Sequence, residues 1–339
     1  MIKYRKLLIT VLLIAALAIG GLFFFYRTAA TPETVRMLPE GEFILYANLK
    51  PVHLFLQAGK PVEVEGDYRE FVNQTGIDFE RDLDEVAMSR RDTPDRRDTE
   101  SSEIFAGRFD QQRLASYLAK ISSSQEDYSG HKIFIIPHEG HTVRVTILDP
   151  SRIAVTNMVS GDVIHQIIDS IRKLPAGPSI LQNFHHKVPS GSLAWAIVRV
   201  GTPATNQPPS GWSFDFLENT ITVASLRYKG DLLVRADVIA GSENDARQVV
   251  DSAGAFVSMY RTVSRSIGTK GADPDVKAAI DSITVQQKDN TATFSATLPQ
   301  RALKKIFSEA QSQATANSSP APVSTPTPPA AQSRRKIRK

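Results

Sequence analysis

The stretch HKIFIIPHEGHTVRVTILDPSRIAVTN, residues 131–157, determines the fold class predicted for this chain. Within it, three runs rich in β-branched and aromatic residues are separated by turn residues such as Pro137 and Gly140. Short runs of this kind joined by tight turns predict an antiparallel meander. Residues 163–171 then place valine and isoleucine at helical spacing, which predicts a helix packed on the meander. The stretch therefore predicts an α+β fold.

The second half of the chain repeats this plan. Residues 192–200 begin a series of strand, hairpin and helix that matches the element order starting at residue 43, although few residues are identical. We therefore predict two α+β repeats of antiparallel sheet packed with helices, at residues 41–178 and 179–311. The pattern leaves open whether the two repeats share one sheet.

Ahead of the repeats lies a predicted transmembrane helix. Residues 7–26 are uncharged and mostly aliphatic or aromatic, and a helix of this length spans about 30 Å, the thickness of the hydrocarbon core. Residues 1–6 carry three basic side chains, which favours a cytoplasmic N-terminal tail and an extracytoplasmic domain. Residues 27–40 are interpreted as a polar spacer. The predicted location is the inner (cytoplasmic) membrane, crossed once.

A cleaved signal peptide is the alternative interpretation of the same segment. The triplet at residues 16–18, Ala-Leu-Ala, fits a small-x-small cleavage site. Cleavage there leaves the apolar residues 19–26 at the new N-terminus, which favours an uncleaved anchor.

The C-terminal residues 312–339 have a different composition. They are rich in serine, alanine, threonine and proline, which predicts an extended or disordered tail. The tail ends in a basic cluster, which either solubilises the chain end or binds a polyanionic polymer or anionic lipid. The cluster comprises Arg334, Arg335, Lys336, Arg338 and Lys339.

The charge balance argues against sequence-specific nucleic-acid binding. The net charge of +4 includes +3 from residues 1–6 and +5 from the C-terminal cluster, so the intervening chain carries −4. A body of that sign has no overall attraction for nucleic acid. The chain also contains no cysteine, which excludes disulfides, zinc–thiolate sites and thiol nucleophiles.

Three histidines form the pattern that most resembles a metal site. His138 and His141 flank a predicted turn, with His131 seven residues before His138, and together they are candidate zinc ligands. The spacing is one residue short of the His-Glu-x-x-His motif, and a solvated polar turn is the alternative. His185 and His186 are interpreted as part of a surface loop.

The remaining motifs do not predict a specific catalytic or binding site. The alternating acids at residues 78–84 lack the glycine and the final glutamate of a calcium loop, and no P-loop, dinucleotide fingerprint or nucleophile elbow is present. Trp195 is predicted to be a core residue. Trp212, beside two prolines, either anchors a partner or a sugar ring or packs on its own domain.

Several short segments resemble a set of uncharacterised bacterial single-pass, membrane-anchored envelope proteins. They are Leu38-Pro39-Glu40 before Tyr46-Ala47-Asn48-Leu49, Gly107-Arg108-Phe109-Asp110, Tyr128-Ser129-Gly130, and Val188-Pro189-Ser190-Gly191-Ser192. The resemblance implies a short cytoplasmic tail, one membrane helix and a duplicated α+β extracytoplasmic domain. It implies no activity and no functional residues.

The functional expectation follows from this combination of features. A predicted anchor, a well-patterned domain and the lack of a catalytic motif favour a membrane-tethered extracytoplasmic binding or scaffolding protein of the cell envelope. No catalysis and no cofactor are expected, and the expected partners are an envelope protein or a polyanionic polymer. The alternative is an envelope hydrolase, assisted by a metal at His131, His138 and His141.

Overall fold

One continuous antiparallel sheet of twelve strands organises the molecule. The computed structural model describes residues 30–51, 53, 67–92, 99–138, 140–201, 219–266 and 274–301. Within these residues the fold is α+β, as predicted, with helices packed on a large antiparallel sheet. The strands are β1 (Phe43–Asn48), β2 (Leu83–Asp92), β3 (Thr99–Gly107), β4 (Ser124–Tyr128), β5 (His131–His138), β6 (His141–Asp149), β7 (Arg152–Thr156), β8 (Ala194–Val200), β9 (Thr220–Lys229), β10 (Asp231–Ile239), β11 (Thr284–Lys288) and β12 (Thr291–Leu298).

The helices vary widely in length. They are α1 (Glu33–Arg36), α2 (Asp67–Thr75), α3 (Phe79–Asp82), α4 (Gln111–Ile121), α5 (Asp162–Asp169), α6 (Ser179–Phe184), α7 (Glu243–Ser266) and α8 (Pro274–Asp281). A 3-10 turn, His185–Lys187, directly follows α6.

The strand order joins the two halves of the chain. From edge to edge it is β11-β12-β10-β9-β8-β1-β2-β3-β7-β6-β5-β4. The halves meet where β1 pairs with β8, with Phe43 opposite Val198 and Ala47 opposite Ala194. The halves therefore share one sheet, and the site described below lies at this junction.

The main core covers one face of the sheet. Helix α5 presents apolar residues at helical spacing, and Ile164 and Ile167 are 0% and 1% exposed. They belong to the same buried cluster as Ile44 of β1, Ile197 of β8 and Leu181 of α6. The helix predicted from residues 163–171 thus helps to cover this face of the sheet, of which the predicted meander forms a part.

The opposite face carries smaller clusters near the two ends of the sheet. Successive residues of a strand point to opposite faces, so Ile133 joins the main core while Phe134 packs with Leu114 and Leu118 of α4. At the other end, Val249 of α7 packs with Val238 of β10. The register places both clusters on the same face of the sheet.

The segment predicted as a polar spacer differs from the expectation in its second half. Residues 33–38 form α1 and the turn after it, and they insert three apolar side chains into the main core. Val35 is 0% exposed, Met37 3% and Leu38 4%. This part of residues 27–40 therefore belongs to the folded domain.

Parts of the predicted organisation fall outside the described residues. They include the predicted transmembrane helix at 7–26 and the tail at 312–339. Among the residues that are described, no helix is both long enough and apolar enough to cross a membrane.

Candidate functional site

The three histidines proposed as zinc ligands do not converge. His138 and His141 face each other across the β5–β6 hairpin, and both are exposed. His131 lies at the opposite end of β5, about 24 Å away at the rise of an antiparallel strand, and its Nδ1 is 3.2 Å from the Ile147 carbonyl oxygen. The three-histidine site is therefore wrong. Within the described ranges, no three His, Asp or Glu side chains form a group that could hold a metal ion.

Two further candidates cannot be placed. Trp212 and the basic cluster Arg334, Arg335, Lys336, Arg338 and Lys339 lie outside the described residues. Among the acids of residues 78–84, Asp82 accepts hydrogen bonds from Arg81 and from the Asp78 backbone amide. These contacts give Asp82 a structural role at the start of β2.

A groove of about 1120 Å³ lies at the junction of the two halves. It opens at the end of the sheet where β1 finishes and where β2 and β8 begin. Residues 30–34 form one wall, and the turn at residues 188–193 forms another. Segments that are far apart in the chain therefore build this site, as is common for ligand-binding clefts.

Three rings form the aromatic corner of the groove: Tyr46, Trp195 and His185. Tyr46 and Trp195 are cross-strand partners on β1 and β8, and their ring centroids are 5.7 Å apart. The edge-on His185 ring follows, with its centroid 5.3 Å from that of Trp195. Tyr46 and Trp195 are only 6% and 5% exposed, so the corner is closely packed and a small part of each ring faces the groove.

A carboxylate lies beside this corner. Glu85 of β2 lies opposite Asn48, one strand from Tyr46, and accepts a hydrogen bond from the Tyr46 hydroxyl. The buried Thr34 hydroxyl is its second donor, at 3.4 Å from Oε2. Burial and then the negative charge and hydrogen bond of Glu85 raise the pKa of Tyr46 well above its usual value. Tyr46 therefore stays neutral at physiological pH and donates to Glu85.

His185 links the corner to the N-terminal wall. Its Nδ1 is 3.1 Å from Thr31 Oγ1. Burial, and secondarily the charge of His186, lowers the pKa of His185, so the ring is neutral at pH 7. The predicted surface loop is therefore only half correct, because His186 is exposed while His185 is partly buried against Trp195.

The other charged residues of the groove are paired. Arg152 Nε lies 2.6 Å from Asp149 Oδ2, and its Nη1 is 3.5 Å from Glu33 Oε2. Lys50 Nζ lies 3.8 Å from Asp84 Oδ2. Among the described residues Glu85 has no basic partner. Its hydrogen-bond donors are hydroxyl groups, whereas the other carboxylates that line the groove each lie beside a basic side chain. The arrangement can bind a polar ligand with an apolar or planar portion.

Comparisons with known proteins assign no activity to this chain. No family model matches the chain, and no curated protein matches it. Solved structures of TP0453 are similar in part. Crystal form IV is 10% identical with a TM-score of 0.41, covering 86% of this chain and 99% of that chain. Crystal form III is 11% identical with a TM-score of 0.43, covering 83% and 99%. Likeness at this level carries no inference about function.

Proposed function

We propose that this chain is a membrane-tethered, extracytoplasmic binding protein of the cell envelope, and that its ligand occupies the groove at the junction of the two halves. The observation that carries the proposal is the groove itself: about 1120 Å³, with an aromatic corner and a carboxylate without a basic partner. Sites that bind small ligands combine apolar and aromatic walls with a few placed polar groups in this way.

The tether is proposed from the sequence. Residues 7–26 have the length and composition of a membrane span, and the basic residues before them favour a cytoplasmic N-terminus. Thr31, which borders the groove, comes five residues after that segment. At about 3.6 Å per extended residue, those residues reach at most about 18 Å. An uncleaved anchor therefore holds the groove close to the outer surface of the inner membrane.

An internal duplication is proposed alongside the tether. In each half, three sequential strands are followed by a helix, and a later strand returns to pair with the third. This returning pair is β7 with β3 in the first half and β12 with β10 in the second. In a duplicated domain β1 and β8 are the equivalent first strands of the two repeats, and the groove lies where these two strands pair.

The metal-assisted hydrolase is not proposed, because its three histidines lie at the two ends of a strand.

The tether is tested with a protease-accessibility assay on the full chain, with an epitope tag after Lys339. In cells whose outer barrier is permeabilised, we expect the protease to remove the tag. A tag that stays protected until the inner membrane is dissolved places the domain in the cytoplasm and rules out the proposal.

A further inference from the structure

The charge pattern of the groove indicates the chemistry of its ligand. Glu33, Asp84 and Glu85 line the groove, and the first two each have a basic partner within 4 Å. Glu85 instead accepts hydrogen bonds from two neutral hydroxyls, those of Tyr46 and Thr34. A carboxylate oxygen has more acceptor capacity than two hydroxyl donors fill, so Glu85 can accept a further, charged donor.

The rings next to Glu85 suit the same kind of ligand. Along the sheet, Glu85, Tyr46 and Trp195 lie on the adjacent strands β2, β1 and β8. Two strand spacings and a two-residue offset along the strands separate Glu85 from Trp195, which is roughly 12 Å between their Cα atoms. Tyr46 and Trp195 are 6% and 5% exposed, so only the edges of their rings line the groove, and the partly buried His185 lies beside them. Aromatic edges of this kind pack against alkyl chains.

The geometry points to an organic ammonium ion as the ligand of this groove. Its amino group forms an ion pair with Glu85, and its alkyl portion packs against the exposed edges of Tyr46 and Trp195 and against His185. An aminoalkyl chain, as in the side chain of lysine or a small diamine, is a ligand of this kind. This inference rests on the proposed binding function of the groove.

Trp195 provides the reporter for a binding test, because the chain has two tryptophans and the other is Trp212. The full chain carrying Trp212→Phe is placed in detergent micelles and titrated with 1,5-diaminopentane while its fluorescence is recorded. We expect a saturable change that is absent with the neutral N,N′-diacetyl derivative. Nα-acetyl-lysine amide, titrated separately, distinguishes a lysine side chain from a free diamine as the source of the amine.

Matched carboxamide variants identify the carboxylate. Glu85→Gln should weaken diamine binding by about 10-fold or more, because a charge-assisted hydrogen bond becomes a neutral one. Glu126→Gln, which neutralises a carboxylate on the distant edge strand β4, should leave binding unchanged. The comparison between the diamine and its diacetyl derivative uses unaltered Glu85, so it stays informative if Glu85→Gln fails to fold.

Two outcomes overturn the inference: equal binding of the diamine and its diacetyl derivative, or no saturable change with either amine. If a neutral sugar or an anionic polymer gives a saturable change instead, the binding function stands and the amine assignment fails. If the diamine binds but the tag after Lys339 is protected, the ligand class stands and the proposed location fails.

Discussion

Replacing Leu38 with alanine tests whether the segment before β1 is part of the folded domain. The Leu38 side chain is 4% exposed and belongs to the main core with Val35 and Met37. A buried leucine truncated to alanine loses its transfer free energy and leaves a cavity, which together cost about 2–5 kcal/mol of unfolding free energy. Each kcal/mol lowers the Tm of a domain of this size by about 2–4 °C. The expected loss is therefore roughly 4–20 °C.

The assay is thermal unfolding of the full chain in detergent micelles, followed by circular dichroism. Val159→Ala is the surface control, because Val159 is 81% exposed and its truncation should cost under about 0.5 kcal/mol. Ile164→Ala, at a fully buried position of α5, is the positive control. If Ile164→Ala lowers the Tm and Leu38→Ala stays within about 1 °C of the unaltered chain, the placement of residues 33–38 in the core is refuted.

Three further predictions concern the groove and the second half. Burial lowers the pKa of His185 below its ordinary 6.5. As the pH falls below about 6.5, His185 therefore binds a proton in the unfolded chain while it is still neutral in the folded chain. Stability should therefore decrease from pH 7 to pH 5, and urea titrations of His185→Gln should show a smaller decrease. Gly107→Ala should strongly destabilise the chain, because a Cβ there overlaps the backbone carbonyl of Asp82. A Tm within about 1 °C of the parent's shows that the backbone at this end of β3 shifts to make room for the Cβ without loss of stability. Arg261→Met removes the guanidinium that donates to the carbonyls of Ile280, Asp281 and Ile283 at the end of α8, and should cost about 1–3 kcal/mol, with faster amide exchange in α8. Unchanged exchange there shows that these contacts contribute little.

Much of the fold follows from local periodicity. The alternation in residues 131–157 predicts β5, β6 and β7, and the isoleucine spacing after it predicts α5, whose inward side chains are buried. Helix α1 escapes prediction because it is a single turn, too short to establish a helical period. Strand β4 escapes because its sequence, SQEDY, is polar, as an exposed edge strand tolerates.

The site follows from the sequence far less than the fold does. Trp195 is correctly predicted as a core residue, but its neighbours in space come from distant segments. Thr31 and His185 are 154 residues apart, and Tyr46 and Glu85 lie on strands joined by a long connection. The pairing of β1 with β8 brings these residues together, and no local spacing encodes that pairing. The histidine pattern at 131–141 misleads because three ligands along a strand and its hairpin do not converge.

Labelling of introduced cysteines tests the central claim most directly, because the chain has no cysteine of its own. Ser190→Cys places a thiol on the exposed rim of the groove, Gln112→Cys places one on the surface of α4, and Ile2→Cys marks the N-terminal tail. With a membrane-impermeant maleimide and cells whose outer barrier is permeabilised, the account predicts labelling at residues 190 and 112 and protection at residue 2. Protection of residue 190 until the inner membrane is dissolved would contradict an extracytoplasmic groove.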